Sequence, residues 1–142
     1  MELGSLSSDD SLGRYIVSER RAREALNRGR IAYDVFQESV ERDSLSVDRL
    51  DLAPDADMAK IADQNASARR KKFFGWAVVL VRQASQMGRR VQPTPFLDNP
   101  YHADIHLNLP SGPERRDVRR QHAYNLARQA VYRLWRRLPG RR

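Results

Sequence analysis

"FFGWAVVL", Phe73 to Leu80, is the most apolar stretch of the chain and is rich in aromatic and β-branched residues. Such residues suit a pleated surface enclosed on both sides, so the segment reads as the central, most buried strand of a sheet. Immediately before it, the basic run Arg69 to Lys72 ends a helix opened by Pro54 and Asp55. Asp55 is suited to the N-cap, and Met58, Ile61 and Ala62 form a narrow apolar stripe. Immediately after it, "VRQASQMG" reads as a short helical turn that Gly88 closes in the left-handed conformation. "RRVQPTPF" follows, and its two prolines confine it to an edge strand or an extended loop.

Further out, "GRYIVSE", Gly13 to Glu19, reads as a short strand, and "RRAREALNRG" as a helical turn or loop closed by Gly29. Ile31, Tyr33 and Val35 alternate in "RIAYDVF", which predicts a strand over Arg30 to Phe36. The same alternation predicts strands in "SLSVDRLDL" and over Tyr101 to Leu107. At the C-terminal end, Ser111, Pro113 and Glu114 form a helix start of the capping-box type. Ala123, Ala127, Ala130, Val131, Leu134, Trp135 and Leu138 then recur at steps of three and four, until Pro139 and Gly140 stop the pattern. The fold class is α+β: a small mixed sheet of about five short strands, two or three helices, and a long amphipathic C-terminal helix. Residues 1–10 read as a flexible lead-in, 11–142 as a single domain, and 111–142 as its basic C-terminal helix.

The 142 residues suffice for one core. The absence of cysteine excludes disulfides, thiol catalysis and thiolate metal sites. No apolar run is long enough to span a membrane, and the N-terminus lacks the features of a secretory signal, so a cytoplasmic location is expected. The net charge of +8 is unevenly placed, because residues 111–142 carry ten arginines against Glu114 and Asp117 while the rest of the chain is balanced. A partner selected by charge, either nucleic acid or an acidic protein surface, meets this segment first, and membership of a multi-protein complex is compatible with that.

Three stretches carry candidate chemistry. In "DNPYHADIH", Asp98 to His106, a strand places His102, Asp104 and His106 on one face, spaced by about 7 Å. Zinc or iron would need a further ligand, with His122 the only other histidine, so a polar strand face is the better reading and no metal or other cofactor is expected. Asp98, Asn99 and Pro100 read as a turn in which the side chain caps its own backbone. On a continuous helix, Arg115, Arg119, Arg133 and Arg137 fall within about 40° of one another, with Arg136 nearby. They could neutralise phosphates in a salt-sensitive, sequence-blind manner. Tyr132 is the only aromatic residue expected on that polar side, so no stacking platform is predicted. Arg69, Arg70, Lys71 and Lys72 would extend the patch if they lay beside this helix. No Walker, G-x-G-x-x-G, H-E-x-x-H or G-x-S-x-G motif is present.

Arg14, Tyr15, Ile16 and Ser18, then Leu45, Ser46 and Val47, then Asn99, Pro100, His102, Ala103 and Ile105 occur in an order that resembles a family of short uncharacterised bacterial proteins. Phe36, Gly75 and Trp76 also fit. The pattern is RYIxS … LSV … NPxHAxI, covers residues 12 to 108, and implies a shared fold without a particular reaction. Arg14, Ser18, Ser46 and His102 belong to it, whereas His106 does not. If those four converge, they form a pocket in which Arg14 clamps an anion or nucleotide and His102 acts as acid, base or donor. The leading expectation is therefore a small basic module that binds nucleic acid or an acidic protein through its C-terminal helix. The second is a small enzyme or nucleotide-binding protein with a pocket around Arg14, Ser46 and His102.

Overall fold

The computed structural model describes residues 4–38 and 41–138. Six strands form one sheet: β1 (Ser11–Ile16), β2 (Ser44–Arg49), β3 (Gly75–Leu80), β4 (Arg90–Pro93), β5 (His102–His106) and β6 (Val131–Leu134). Their order is β4-β5-β2-β1-β3-β6, and all five pairings are antiparallel. Four helices, α1 (Glu19–Arg28), α2 (Asp55–Ala68), α3 (Val81–Ala84) and α4 (Arg115–Gln129), complete an α+β fold with 3₁₀ turns at Tyr33–Phe36 and Leu50–Leu52.

Side-chain alternation divides the molecule into two layers of core. Leu12, Ile16, Leu45, Val47, Ala77, Val79, Ala103 and Ile105 point to one face of the sheet and are buried beneath α1, α3, α4 and Phe36. On the other face, Trp76, Phe73 and Leu50 pack against Met58, Ala59, Ala62 and Ala66 of α2. The small residues of that stripe let α2 lie close to the Trp76 ring, and enclosing such a large side chain stabilises the fold by roughly 1.5–3 kcal/mol. The rest of this face, on β2, β5 and β4, is polar. Its rows are Ser44, His106 and Arg90, then Ser46, Asp104 and Gln92, with Asp48 opposite His102.

Several sequence expectations change. "RRAREALNRG" is a ten-residue helix: the Ser18 hydroxyl accepts from the Arg21 N–H, and Gly29 closes it at φ 62°. Arg30 to Phe36 forms no strand: the 3₁₀ turn Tyr33–Phe36 buries Ile31 and Phe36 in the same core, whereas strand alternation would send an odd and an even position to opposite faces. β3 is enclosed as expected, yet it is the next-to-last strand rather than the central one. Pro54, not Asp55, holds the N-cap of α2, and Glu114 makes no capping side-chain bond at α4.

The C-terminal helix is present and ends at Gln129. Val131, Tyr132, Arg133 and Leu134, expected to continue it, leave the helix and pair with the open edge of β3. Gly75 permits this approach, since a Cβ there would collide with the Arg133 carbonyl oxygen and lie 2.8 Å from the Tyr132 ring. Residues 139–142 lie outside the described part of the chain.

Candidate nucleic-acid interface and polar cavity

The arginines expected to share one helical face are dispersed by the helix-to-strand break. Arg115 and Arg119 lie on the side of α4 that carries His122 and Leu126, and they bind the protein itself. Arg115 meets Asp43 at 3.9 Å and the Pro110 carbonyl, and Arg119 donates to the Glu38 carbonyl. Arg133 pairs with Asp55 at 3.5 Å. Arg136 pairs with Asp63 at 2.9 Å and also donates to the Phe73 carbonyl. Arg137 is exposed beyond β6, and Arg69, Arg70, Lys71 and Lys72 are exposed at the end of α2, on the opposite face of the sheet from α4. The basic run therefore lies across the sheet from α4 rather than beside it.

A different set of cations is available. Arg116, Arg120 and Arg128 are exposed on α4, four or eight residues apart, and Tyr124 occupies the intervening position. Tyr124 is 53% exposed and stacks on Tyr33, with ring centroids 4.4 Å apart and planes 23° from parallel. Beside this pair, a groove of about 630 Å³ separates the end of α1 from α4 and is edged by Arg28, Arg30 and Arg128. None of Arg28, Arg30, Arg116, Arg120 and Arg128 has an acidic partner among the described residues. Tyr132, the aromatic residue expected to be exposed, instead donates its hydroxyl to the Phe74 carbonyl. The signal that identifies Tyr124 in the sequence is its position midway between Arg120 and Arg128.

The second site lies on the α2 side of the sheet. Arg14, Ser46 and His102 line one cavity of about 550 Å³, together with Tyr15, Asp48 and Asn99. Ser18 does not belong to it, being committed to capping α1. Arg14 is not available as an anion clamp either. Its guanidinium donates to the carbonyls of Val35, Ser46 and Gln37 and to Glu38 at 2.8 Å, which ties the segment 35–38 to β2. Burial pushes the Glu38 carboxyl up, but Arg14, Arg42 and the Ser46 backbone outweigh it and hold the group below its ordinary value.

Asp48, only 2% exposed, accepts from the Tyr15 hydroxyl and from Asn99 Nδ2 at 2.8 Å. Burial raises its carboxyl despite those two bonds, and burial together with the Asp48 charge raises the Tyr15 hydroxyl further. Asn99 also accepts from the Tyr101 N–H, so the anticipated turn-capping side chain has a second role that its sequence context did not reveal. His102 Nδ1 is held by Thr94, 2.8 Å from Oγ1 and 3.1 Å from the carbonyl, while Nε2 lies 4.0 Å from Asp104. His106 turns instead to Gln92 at 3.0 Å. Among the described residues no group of three metal-ligating side chains converges.

No family model, curated protein or solved structure matches this chain. Among the described residues no helix is long and apolar enough to cross a membrane.

Proposed function

We propose that the chain binds single-stranded nucleic acid across the outer face of α4 and the groove beside it. The observation that carries this reading is the exposed Tyr124 ring, backed by Tyr33 and bordered by arginines without acidic partners. An arginine already paired with a carboxylate or a backbone carbonyl has little left to offer a phosphate, whereas Arg28, Arg30, Arg116, Arg120 and Arg128 keep their donors. A tyrosine supported from behind presents a flat apolar surface on which any base can stack, at about 1–3 kcal/mol per base. That platform favours unpaired bases over a duplex, whose bases are already stacked, and over an acidic peptide, which would use the charge alone.

The test is fluorescence anisotropy of a labelled mixed-sequence 12-nucleotide single strand and of its duplex, titrated with the full chain at several salt concentrations. Tighter binding of the single strand, with log affinity falling linearly against log salt, is the expected result. Equal affinity for strand and duplex, or affinity unchanged in Tyr124→Ala, would overturn it.

A further inference from the structure

The cavity beneath α2 has a built wall rather than a lining of surface side chains. Asp48 and His102 are both over nine-tenths buried and come from adjacent strands. Each is fixed by a residue from a different part of the chain: Asp48 by Tyr15 and Asn99, His102 by Thr94. Placing a carboxyl here is costly, since a neutral side chain would spare the desolvation. Beside it, Asp104 Oδ1 is sealed from solvent, lies 4.0 Å from His102 Nε2 and has no hydrogen-bond partner among the described residues. A volume of about 550 Å³ suits a small molecule.

Charge then selects the class of ligand. Two cations, Arg14 and Arg69, line the cavity against three carboxylates, Glu38, Asp48 and Asp98. Arg14 is consumed by Glu38 and by carbonyl groups, which leaves Asp48 inside and Asp98 toward the exposed turn against one cation, the exposed Arg69 at the end of α2, in a chain whose net charge is +8. Phe96 stands at the same edge. Its ring centroid lies 4.4 Å from that of His102, with the two planes tilted by 39°, and the side chain is half exposed. An ammonium group supplies three donors and no acceptor, is attracted to a carboxylate, and is stabilised over an aromatic face. We infer that the cavity formed by Tyr15, Asp48, Phe96, Asn99 and His102 is a binding site for a small organic amine. It is separate from the nucleic-acid face, which lies on the other side of the sheet.

Three five-carbon probes of the same shape test this on the full chain by calorimetry at fixed ionic strength: 1,5-diaminopentane, 1,5-pentanediol and glutarate. The diamine binds saturably, and the diol and the dianion bind at least about tenfold more weakly, the difference expected from a single lost charge contact. Asp48→Asn weakens the diamine by about tenfold. Phe96→Ala and Asp98→Asn, both at exposed positions, weaken it by about threefold without moving the melting temperature, so the test survives if Asp48→Asn does not fold. Diol or glutarate binding as tightly as the diamine overturns the inference. So does diamine binding indifferent to all three substitutions, or no saturable binding of any probe.

Discussion

Arg89 donates from Nη1 to Nδ1 of His122 at 2.9 Å, with both side chains buried. A guanidinium has only donors, so the contact requires the His122 nitrogen to carry its lone pair, and the imidazole is neutral with its proton on Nε2. Arg89 also donates to the carbonyls of Ala84 and Gln83 and to Asn125, joining α3 to α4. Burial lowers its pKa to about 10, which still leaves it charged near neutrality. Burial first, and then the Arg89 charge, lower the His122 pKa, while Asp43 opposes them.

The sign of the pH dependence follows. Between the depressed folded pKa of His122 and its ordinary value near 6.5, the unfolded chain binds more protons, so stability rises with pH across that window. Acidification below about 6.5 should therefore lower the urea midpoint. Asp48 acts in the opposite direction, because its raised carboxyl favours lower pH, so the informative quantity is the difference from a variant. His122→Asn keeps an acceptor for Arg89 but cannot titrate. It should be less stable than the parent at pH 7.5 and show a flatter profile between pH 7.5 and 5.5. Parallel profiles would show that His122 does not titrate in this way.

Arg14 gives a second test. Its planar fork satisfies three carbonyls and Glu38, a set that the point charge of a lysine cannot reach at once. Arg14→Lys should cost about 2–3 kcal/mol by chemical denaturation, as buried acceptors lose their donors. Glu38 is held below its ordinary pKa, so its contribution is present above that value and is lost as pH falls through the folded one. With the partner weakened, the acid limb of the stability profile should become shallower in Arg14→Lys than in the parent.

Much of the fold was legible where pattern and neighbours agree. Phe73 to Leu80 reads as an enclosed strand because both faces of β3 are covered, and the two prolines of "RRVQPTPF" place β4 at an edge. The sequence misleads at Val131 to Leu134, where helical spacing coexists with strand-forming side chains. The vacant edge of β3 decides between them, and that edge is set by long-range pairing which no local window contains. Gly75→Ala tests the point. The added methyl group meets the Arg133 carbonyl oxygen and the Tyr132 ring, so β6 must shift, at a cost of about 1–3 kcal/mol. Hydrogen exchange should show faster exchange of the β6 amides that bond to β3, with α4 amides unchanged.

The candidate site was less legible for the same reason. A wheel drawn through Leu134, Trp135 and Leu138 counts strand and loop residues as helix and selects Arg115, Arg119 and Arg133. Once α4 stops at Gln129, its buried side is His122, Ala123, Leu126 and Ala127, and Arg120, Tyr124 and Arg128 are left facing outward. Two double variants that remove the same charge separate these alternatives. Arg120→Ala with Arg128→Ala should reduce the slope of log affinity against log salt by about 1.4 for a single strand, two contacts at about 0.7 each, and leave the melting temperature nearly unchanged. Arg133→Ala with Arg136→Ala removes the pairs with Asp55 and Asp63 and the bond to the Phe73 carbonyl. It should lower the melting temperature and leave the salt slope as it was. If both pairs change the slope equally, the chain attracts nucleic acid through net charge alone, and the Tyr124 face has no special part in binding.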